Sequence, residues 1–267
     1  MPPPPQPSIT NEAMQWYASV PPVTKALLTL SIVLTVAPAL SLFNISYLIL
    51  YWHGVAKLQL WRLVTAFFVN RVNISFAMNI FFLYRYSNDL ETQVFMGRTA
   101  DYVYFHFIVG FIQLIAAYFL ELFVLSDGLL LAVAYLWSQH NKETMMTFMF
   151  GLRFKALYLP WVLVAYDLLS SGAVPWASLA GIGASHAYYY LSGSPTGGSS
   201  QGGRNYLSTP GWLQRIFPGV NRGTRGFATG SMGGIHTPGQ QRQQQQQQQQ
   251  QSSIFGNSWG RGQRLGS

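Results

Sequence analysis

Six predominantly apolar stretches most constrain how this chain can fold. They cover residues 26–43, 73–85, 102–120, 123–137, 154–169 and 174–191. A helix that crosses the bilayer core needs about 20 mostly apolar residues, and the bilayer can thin around shorter ones. Because backbone polar groups must be hydrogen-bonded within lipid, each stretch is predicted to be a transmembrane helix. The predicted fold class is an all-α membrane protein with six transmembrane helices.

The composition supports a membrane domain followed by a different kind of segment. Hydrophobic residues make up 49% of the chain and charged residues only 9%, whereas soluble domains carry about 25% charged residues. The apolar residues are concentrated before about residue 195, and Gly, Ser, Gln, Arg and Pro dominate afterwards. The predicted organisation is a Pro-rich N-terminus with an interfacial amphipathic helix (1–25), a membrane domain (26–195) and a disordered tail (196–267).

The distribution of positive charge predicts the orientation of the chain. Six spans place both termini on one side of the membrane. Assigning that side to the cytosol leaves only Lys57, Arg62 and Arg71, of 16 lysines and arginines, on the other side, as the positive-inside rule requires. The arginines of the tail are dispersed, which favours attraction to membrane lipid over binding to nucleic acid.

The first long loop, residues 44–72, contains many aromatic residues and the pair Trp61-Arg62. It is predicted to lie embedded in the membrane interface. Two interpretations of the pair remain open. In one, Trp61 anchors the loop and Arg62 extends towards water. In the other, Arg62 pairs inside a rigid loop that shapes a platform within the membrane.

The sixth stretch carries a face of small residues. Ala177, Gly181 and Ser185 recur every four residues, and Gly183 lies between them. Such a face lets two helices approach closely, and the fourth stretch is the predicted neighbour. His186 at the end of this face is a candidate functional residue because it is ionisable within a span. The alternative is a structural histidine that satisfies a buried hydrogen bond.

The sequence offers no convincing catalytic site. A serine protease needs a serine activated by a base, with oxyanion donors nearby, but Ser126 and Ser138 each lie near an end of the fourth stretch. Asp167 and His106 are interpreted as isolated polar residues. The chain contains no cysteine and no metal-ligand spacing, so no catalytic residue, metal ion or cofactor is expected. The alternatives are an intramembrane serine protease that uses His186, and a transporter or channel.

The end of the chain has the features of a short binding motif. Bulky apolar residues return at Phe255, Trp259 and Leu265 after a glutamine run at 243–251, and glycines separate them. Segments of this kind bind partners through a few apolar anchors.

Several stretches, in order and at compatible spacing, resemble the derlin family. They are Trp16 with 21–24, then 59–63, 79–91, 97–102, 135–138, 159–163 and 183–191. The resemblance implies a rhomboid-like six-helix bundle without protease chemistry. It also implies residence in the endoplasmic reticulum membrane and a role in moving misfolded proteins to the cytosol for degradation, together with a ubiquitin-ligase complex. In that family Trp61-Arg62 would be the loop motif, and 181–185 would match the helix-packing motif.

The last residues also resemble a motif of some derlins. The pattern aromatic-Gly-x-Gly-x-x-Leu-Gly is met by Trp259, Gly260, Gly262, Leu265 and Gly266. This resemblance implies binding of the cytosolic AAA ATPase known as valosin-containing protein. The expected partners are therefore this ATPase, the ubiquitin ligase, misfolded substrates and membrane lipid.

Overall fold

The structure, a computed structural model, describes residues 9–147, 151, 153–192, 207 and 209–217. The first residues of the Pro-rich N-terminus, most of the predicted tail and the whole predicted ATPase-binding box lie outside the described residues.

The described residues form a largely helical chain. The helices are α1 (Ile9–Ser19), α2 (Pro22–Ala39), α3 (Trp52–Ala56), α4 (Arg62–Thr65), α5 (Ile74–Asp89), α6 (Thr99–Leu120), α7 (Ser126–His140), α8 (Leu159–Ser171), α9 (Trp176–Leu191) and α10 (Gly211–Ile216). Two short strands, β1 (Met145–Thr147) and β2 (Arg153–Lys155), pair antiparallel between α7 and α8.

Six helices correspond to the six apolar stretches, which confirms the predicted fold class. They are α2, α5, α6, α7, α8 and α9. The central helix is α7, whose residues from Gly128 to Ala134 are all buried against neighbouring helices. It packs most extensively on α9 and also contacts α5 and α8, while α6 packs on α9 and α2 packs on α5 and α6. By length and hydropathy, α2 and α6 alone among the described helices each suffice to cross a membrane.

Several predicted boundaries were wrong. The first span ends at Ala39 rather than 43, one residue after Pro38, which lies inside the last turn of α2. The fourth span runs from Ser126 to His140 rather than over 123–137, and Ser126-Asp127-Gly128 forms its first turn. Phe154 belongs to β2, because it pairs with Met146, so the fifth span begins only at Leu159.

The helices around α7 are short for a bilayer. An α-helix rises about 1.5 Å per residue. The 16-residue α5 and α9 are therefore about 24 Å long and the 13-residue α8 about 20 Å, against a hydrocarbon core of about 30 Å. The bundle thus presents a belt of uneven thickness to lipid.

The loop between α2 and α5 folds against the bundle without a long helix of its own. It contains a 3-10 turn at Ile45–Tyr47, then α3 and α4. Its buried residues include Leu50 and Phe67, whereas Tyr47, Leu60 and Trp61 are exposed. An apolar outer surface of this kind fits a loop that lies in the interface.

Candidate functional site: a polar seam between α5, α7 and α8

Arg62 lies buried inside the first loop and holds two parts of it together. Its Nη1 donates to the carbonyl oxygens of Ser46 at 2.5 Å and Ile49 at 2.9 Å. Its Nε donates to Gln59 Oε1 at 2.6 Å. A Cβ at Gly54 would press against the side chains of Gln59 and Arg62, so the backbone of Gly54 packs closely on this pair. These contacts are the internal pairing that the platform interpretation requires.

Trp61 has a different environment from its neighbour. Its Nε1 donates to the carbonyl oxygen of Tyr47 at 3.2 Å, but the residue is 51% exposed. A half-exposed indole on an apolar surface is typical of an interfacial anchor. The two interpretations of the pair therefore apply to different residues. Arg62 forms hydrogen bonds inside the loop, and Trp61 has the environment of an interfacial anchor.

Helices α7 and α9 touch backbone to backbone. A Cβ at Gly181 would overlap the carbonyl group of Gly128, and a Cβ at Gly128 would overlap the carbonyl oxygen of Ala177. One turn further along, Ser185 Oγ donates to the carbonyl oxygen of Ala132 at 2.8 Å. The structure thus brings Ala177, Gly181 and Ser185 to one contact with the fourth span, as the spacing predicted. Gly183 lies on the exposed side of α9 with open space around its Cα.

His186 lies on the outer side of the same helix. Its Nδ1 shares a hydrogen bond of 2.6 Å with the hydroxyl of Tyr135 on α7. Both residues line a crevice of about 530 Å³ that opens between α7, α8 and α9 beside Tyr158 and Trp161. The group hydrogen-bonded to His186 is thus the hydroxyl of a tyrosine. The hydroxyl of Ser138 donates to the backbone carbonyl oxygen of Tyr135.

A group of polar side chains lies at the end of the bundle where α7 begins. Asp127 Oδ1 accepts a hydrogen bond from Asn79 Nδ2 at 2.8 Å and a longer one from Asn70 Nδ2 at 3.5 Å. Asp167 near the end of α8 accepts from Ser178 Oγ at 2.6 Å. We call Asn70, Asn79, Asp127, Asp167 and Ser178 the polar seam. The interpretation of Asp167 as isolated was wrong, because its partner comes from another helix.

A small cavity adjoins the polar seam. Its volume is about 20 Å³, and its polar walls are Ser31, Asn70, Asn79 and Ser126. The hydroxyl oxygen of Ser126 is buried and has no hydrogen-bond partner among the described residues. A space of this size with several polar neighbours suits a single water molecule, so the seam can be hydrated.

The outer edge of the seam lies between α5 and α8. The hydroxyls of Ser75 on α5 and Ser170 on α8 lie 2.8 Å apart in a hydrogen bond, with Ser75 partly buried and Ser170 exposed. Helix α8 packs mainly on α7 and more sparsely on α9. This hydrogen bond between two side chains therefore links α5 and α8 at this end.

Glu91 holds the opposite end of the bundle and had no role in the sequence interpretation. It is buried in the π-helical turn Leu90–Val94 that follows α5. Its carboxylate accepts hydrogen bonds from the backbone N–H groups of Val23 and Thr24 and from the hydroxyl of Thr24. An acidic residue at the end of the stretch 79–91 was the available signal, but its partners lie over sixty residues earlier.

The described residues contain no group of three or more His, Cys, Asp or Glu side chains that could hold a metal ion. His106, also interpreted as isolated, binds the carbonyl oxygen of Tyr102 through Nδ1 at 2.8 Å.

Six packed helices, an interfacial loop between the first two, and a glycine contact between the fourth and sixth define a rhomboid-like helical membrane protein. Comparison with known proteins narrows this class. Residues 20–211 match the Der1-like family. The chain is 34% identical over 260 residues to Derlin-1 of Drosophila melanogaster, a match that covers 96% of this chain and 99% of that protein. It is 32% identical to Derlin-1 of Homo sapiens, covering 94% and 97%.

A plant relative extends the comparison. Derlin-2 of Oryza sativa subsp. japonica is 34% identical over 220 residues, covering 78% of this chain and 87% of that protein. The chain therefore belongs to the Der1-like, or derlin, family. It is accordingly a Der1-like component of endoplasmic-reticulum-associated degradation, the class indicated by the sequence motifs.

Proposed function

We propose that this protein moves misfolded lumenal or membrane proteins out of the endoplasmic reticulum by admitting them sideways into the polar seam, without cleaving them. The observation that carries the proposal is the seam itself. Asp127 and Asp167 lie within the fourth and fifth spans, and each accepts a hydrogen bond from a side chain of another helix. Ionisable groups inside a membrane protein are costly and mark pathways for polar cargo.

The short helices support the same proposal. A hydrophobic length of about 20–24 Å causes the bilayer to thin around the protein. A thinner bilayer lowers the barrier that a polar polypeptide segment meets, because less hydrocarbon must be crossed. The shortest of the six spans, α8, contributes Asp167 to the seam, so thinning is greatest where the substrate enters.

Locking α5 to α8 is expected to abolish export of substrates. The chain lacks cysteine, so the double variant Ser75→Cys/Ser170→Cys carries a single designed pair at positions whose hydroxyl oxygens are 2.8 Å apart. Thiols there are within reach of a disulfide. Turnover of a misfolded reporter, measured by cycloheximide chase, should stop when the disulfide forms and return after mild reduction.

The two single cysteine variants are the matched controls, because each lacks one hydroxyl but cannot form the cross-link. They should degrade the reporter at the rate of the unmodified protein. Unchanged turnover by a fully cross-linked double variant would contradict lateral entry between α5 and α8.

The energy for export is proposed to come from the cytosol. In this proposal both termini face the cytosol, and Trp259, Gly260, Gly262, Leu265 and Gly266 recruit valosin-containing protein. The same complex includes a ubiquitin ligase of the endoplasmic reticulum membrane. The support for recruitment is the match of the last residues to the binding pattern, with glycines that let an extended backbone approach its partner closely.

Deletion of residues 259–267 is expected to remove the ATPase from the complex while leaving the membrane domain intact. The measurement is the amount of ATPase that copurifies with the tagged protein in mild detergent. Deletion of 243–251 from the glutamine run removes an equal length of tail and should retain the ATPase. If the ATPase copurifies without residues 259–267, the proposed box is not its binding site.

A further inference from the structure

The short helix α10 carries two unlike surfaces. Its Leu213 is only 1% exposed and packs against the bundle, whereas Trp212 is 59% and Ile216 is 61% exposed. Residues four apart lie on the same face of a helix, so Trp212 and Ile216 form one apolar outer surface. Gln214 lies on the opposite side of the helix from Trp212. Arg215 is next to Trp212 on the helical wheel.

A specific contact fixes the position of α10 along the bundle. Thr209 Oγ1, just before the helix, donates to Asp101 Oδ1 at 2.6 Å, and α10 packs on α6. Asp101 is in the first turn of α6 and also pairs with Arg98 at 3.2 Å. Because Leu213 inserts beside these contacts, the segment is held by both a polar and an apolar connection.

The depth of α6 then sets the depth of α10. With 22 residues, α6 is about 33 Å long, which closely matches a hydrocarbon core of about 30 Å. Its first turn must therefore lie at the membrane boundary. Farther along α6, Phe107 and Phe111 are exposed, as expected of a span that faces lipid. Helix α10, held at the first turn of α6, therefore lies at headgroup level.

We infer that α10 is a membrane-surface anchor, with Trp212 and Ile216 inserted at the boundary between headgroups and acyl chains of the adjacent leaflet. Tryptophan is enriched at this boundary because its ring is apolar and its N–H is polar. Arg215 provides the flanking cation that is typical of interfacial helices. Residues after α10 therefore begin at a fixed point on the bilayer surface, whichever partner the tail binds.

Spin-label accessibility tests this inference on the full chain in lipid nanodiscs. Because the chain has no cysteine, the variants Trp212→Cys, Ile216→Cys and Gln214→Cys each accept one nitroxide. Oxygen concentrates in lipid, and a neutral nickel chelate concentrates in water. We expect the ratio of oxygen to nickel accessibility to be several-fold higher at 212 and 216 than at 214, which serves as the matched control on the same helix.

Two results would overturn the inference. Equal ratios at all three positions, with free access of nickel, would place the outer surface of α10 in water. Low accessibility to both reagents at 212 and 216 would mean that protein, such as a second copy of this chain, covers the surface. Because Trp212 and Ile216 are more than half exposed, labelling them should preserve the fold, which the thermal unfolding midpoint of each labelled variant checks.

Discussion

Replacement of Gly181 by alanine is expected to destabilise the bundle by about 3 kcal/mol, the upper end of the cost of overpacking. The added methyl group would overlap the carbonyl group of Gly128 on α7. A backbone carbonyl cannot rotate away as a side chain can, so α7 and α9 must separate. That separation would also break the hydrogen bond from Ser185 to Ala132. The measurement is the thermal unfolding midpoint in detergent.

The same helix provides the control for this prediction. Gly183→Ala makes the same chemical change two residues away, where a Cβ meets nothing within 4 Å. Alanine favours a helix over glycine by about 1 kcal/mol, so this variant should be as stable as the natural protein or slightly more. Equal midpoints for the two variants would show that the contact between α7 and α9 tolerates expansion.

The comparison of Gly181 with Gly183 shows how far the sequence could predict this contact. A repeat of four residues identifies a face, and the small side chains indicate close approach. This pattern predicted both the face and its neighbour in the fourth span. It could not separate Gly183 from the face, because several small residues in succession leave the rotation of the helix undetermined.

The polar seam could not be predicted because its residues come from separate parts of the sequence. Asp127 and Asn79 are 48 residues apart, and Asp167 and Ser178 are 11 apart across a turn. Each looks like a solitary polar residue within or beside an apolar stretch. The rule that buried polar groups are hydrogen-bonded predicts that partners exist, but only the arrangement of helices shows which they are.

The boundaries of the spans were predicted wrongly for a related reason. Apolar composition cannot distinguish the strand residue Phe154 from a helical one, because the pairing partner Met146 lies on another segment. The start of α2 at Pro22 likewise depends on a residue from another part of the chain. Proline is favoured in a first helical turn, but the N–H groups that follow are satisfied by a side chain from the end of α5.

That side chain is Glu91, and its position explains why three helices stay together at this end of the bundle. The first N–H groups of a helix lack intrahelical acceptors and carry partial positive charge. The Glu91 carboxylate accepts from those of Val23 at 3.0 Å and Thr24 at 2.8 Å. The hydroxyl of Thr24 also bonds to Ser87, which in turn bonds to Tyr102 on α6. The network joins α2, α5 and α6 through buried groups.

Replacement of Glu91 by alanine is expected to destabilise the protein by about 3 kcal/mol, because it removes charge-assisted hydrogen bonds and leaves buried N–H groups unpaired. Glu91→Gln should cost less, since its amide oxygen can still accept, but its NH₂ group would face a donor. Glu121→Gln, at an exposed helix end, should leave the unfolding midpoint unchanged in the same detergent. The order of midpoints, with alanine below glutamine and glutamine below the Glu121 control, distinguishes a capping carboxylate from a carboxylate that only fills space. If Glu91→Gln instead unfolds at the control temperature, the charge on Glu91 contributes nothing, and a neutral acceptor holds α2 to the segment after α5 equally well.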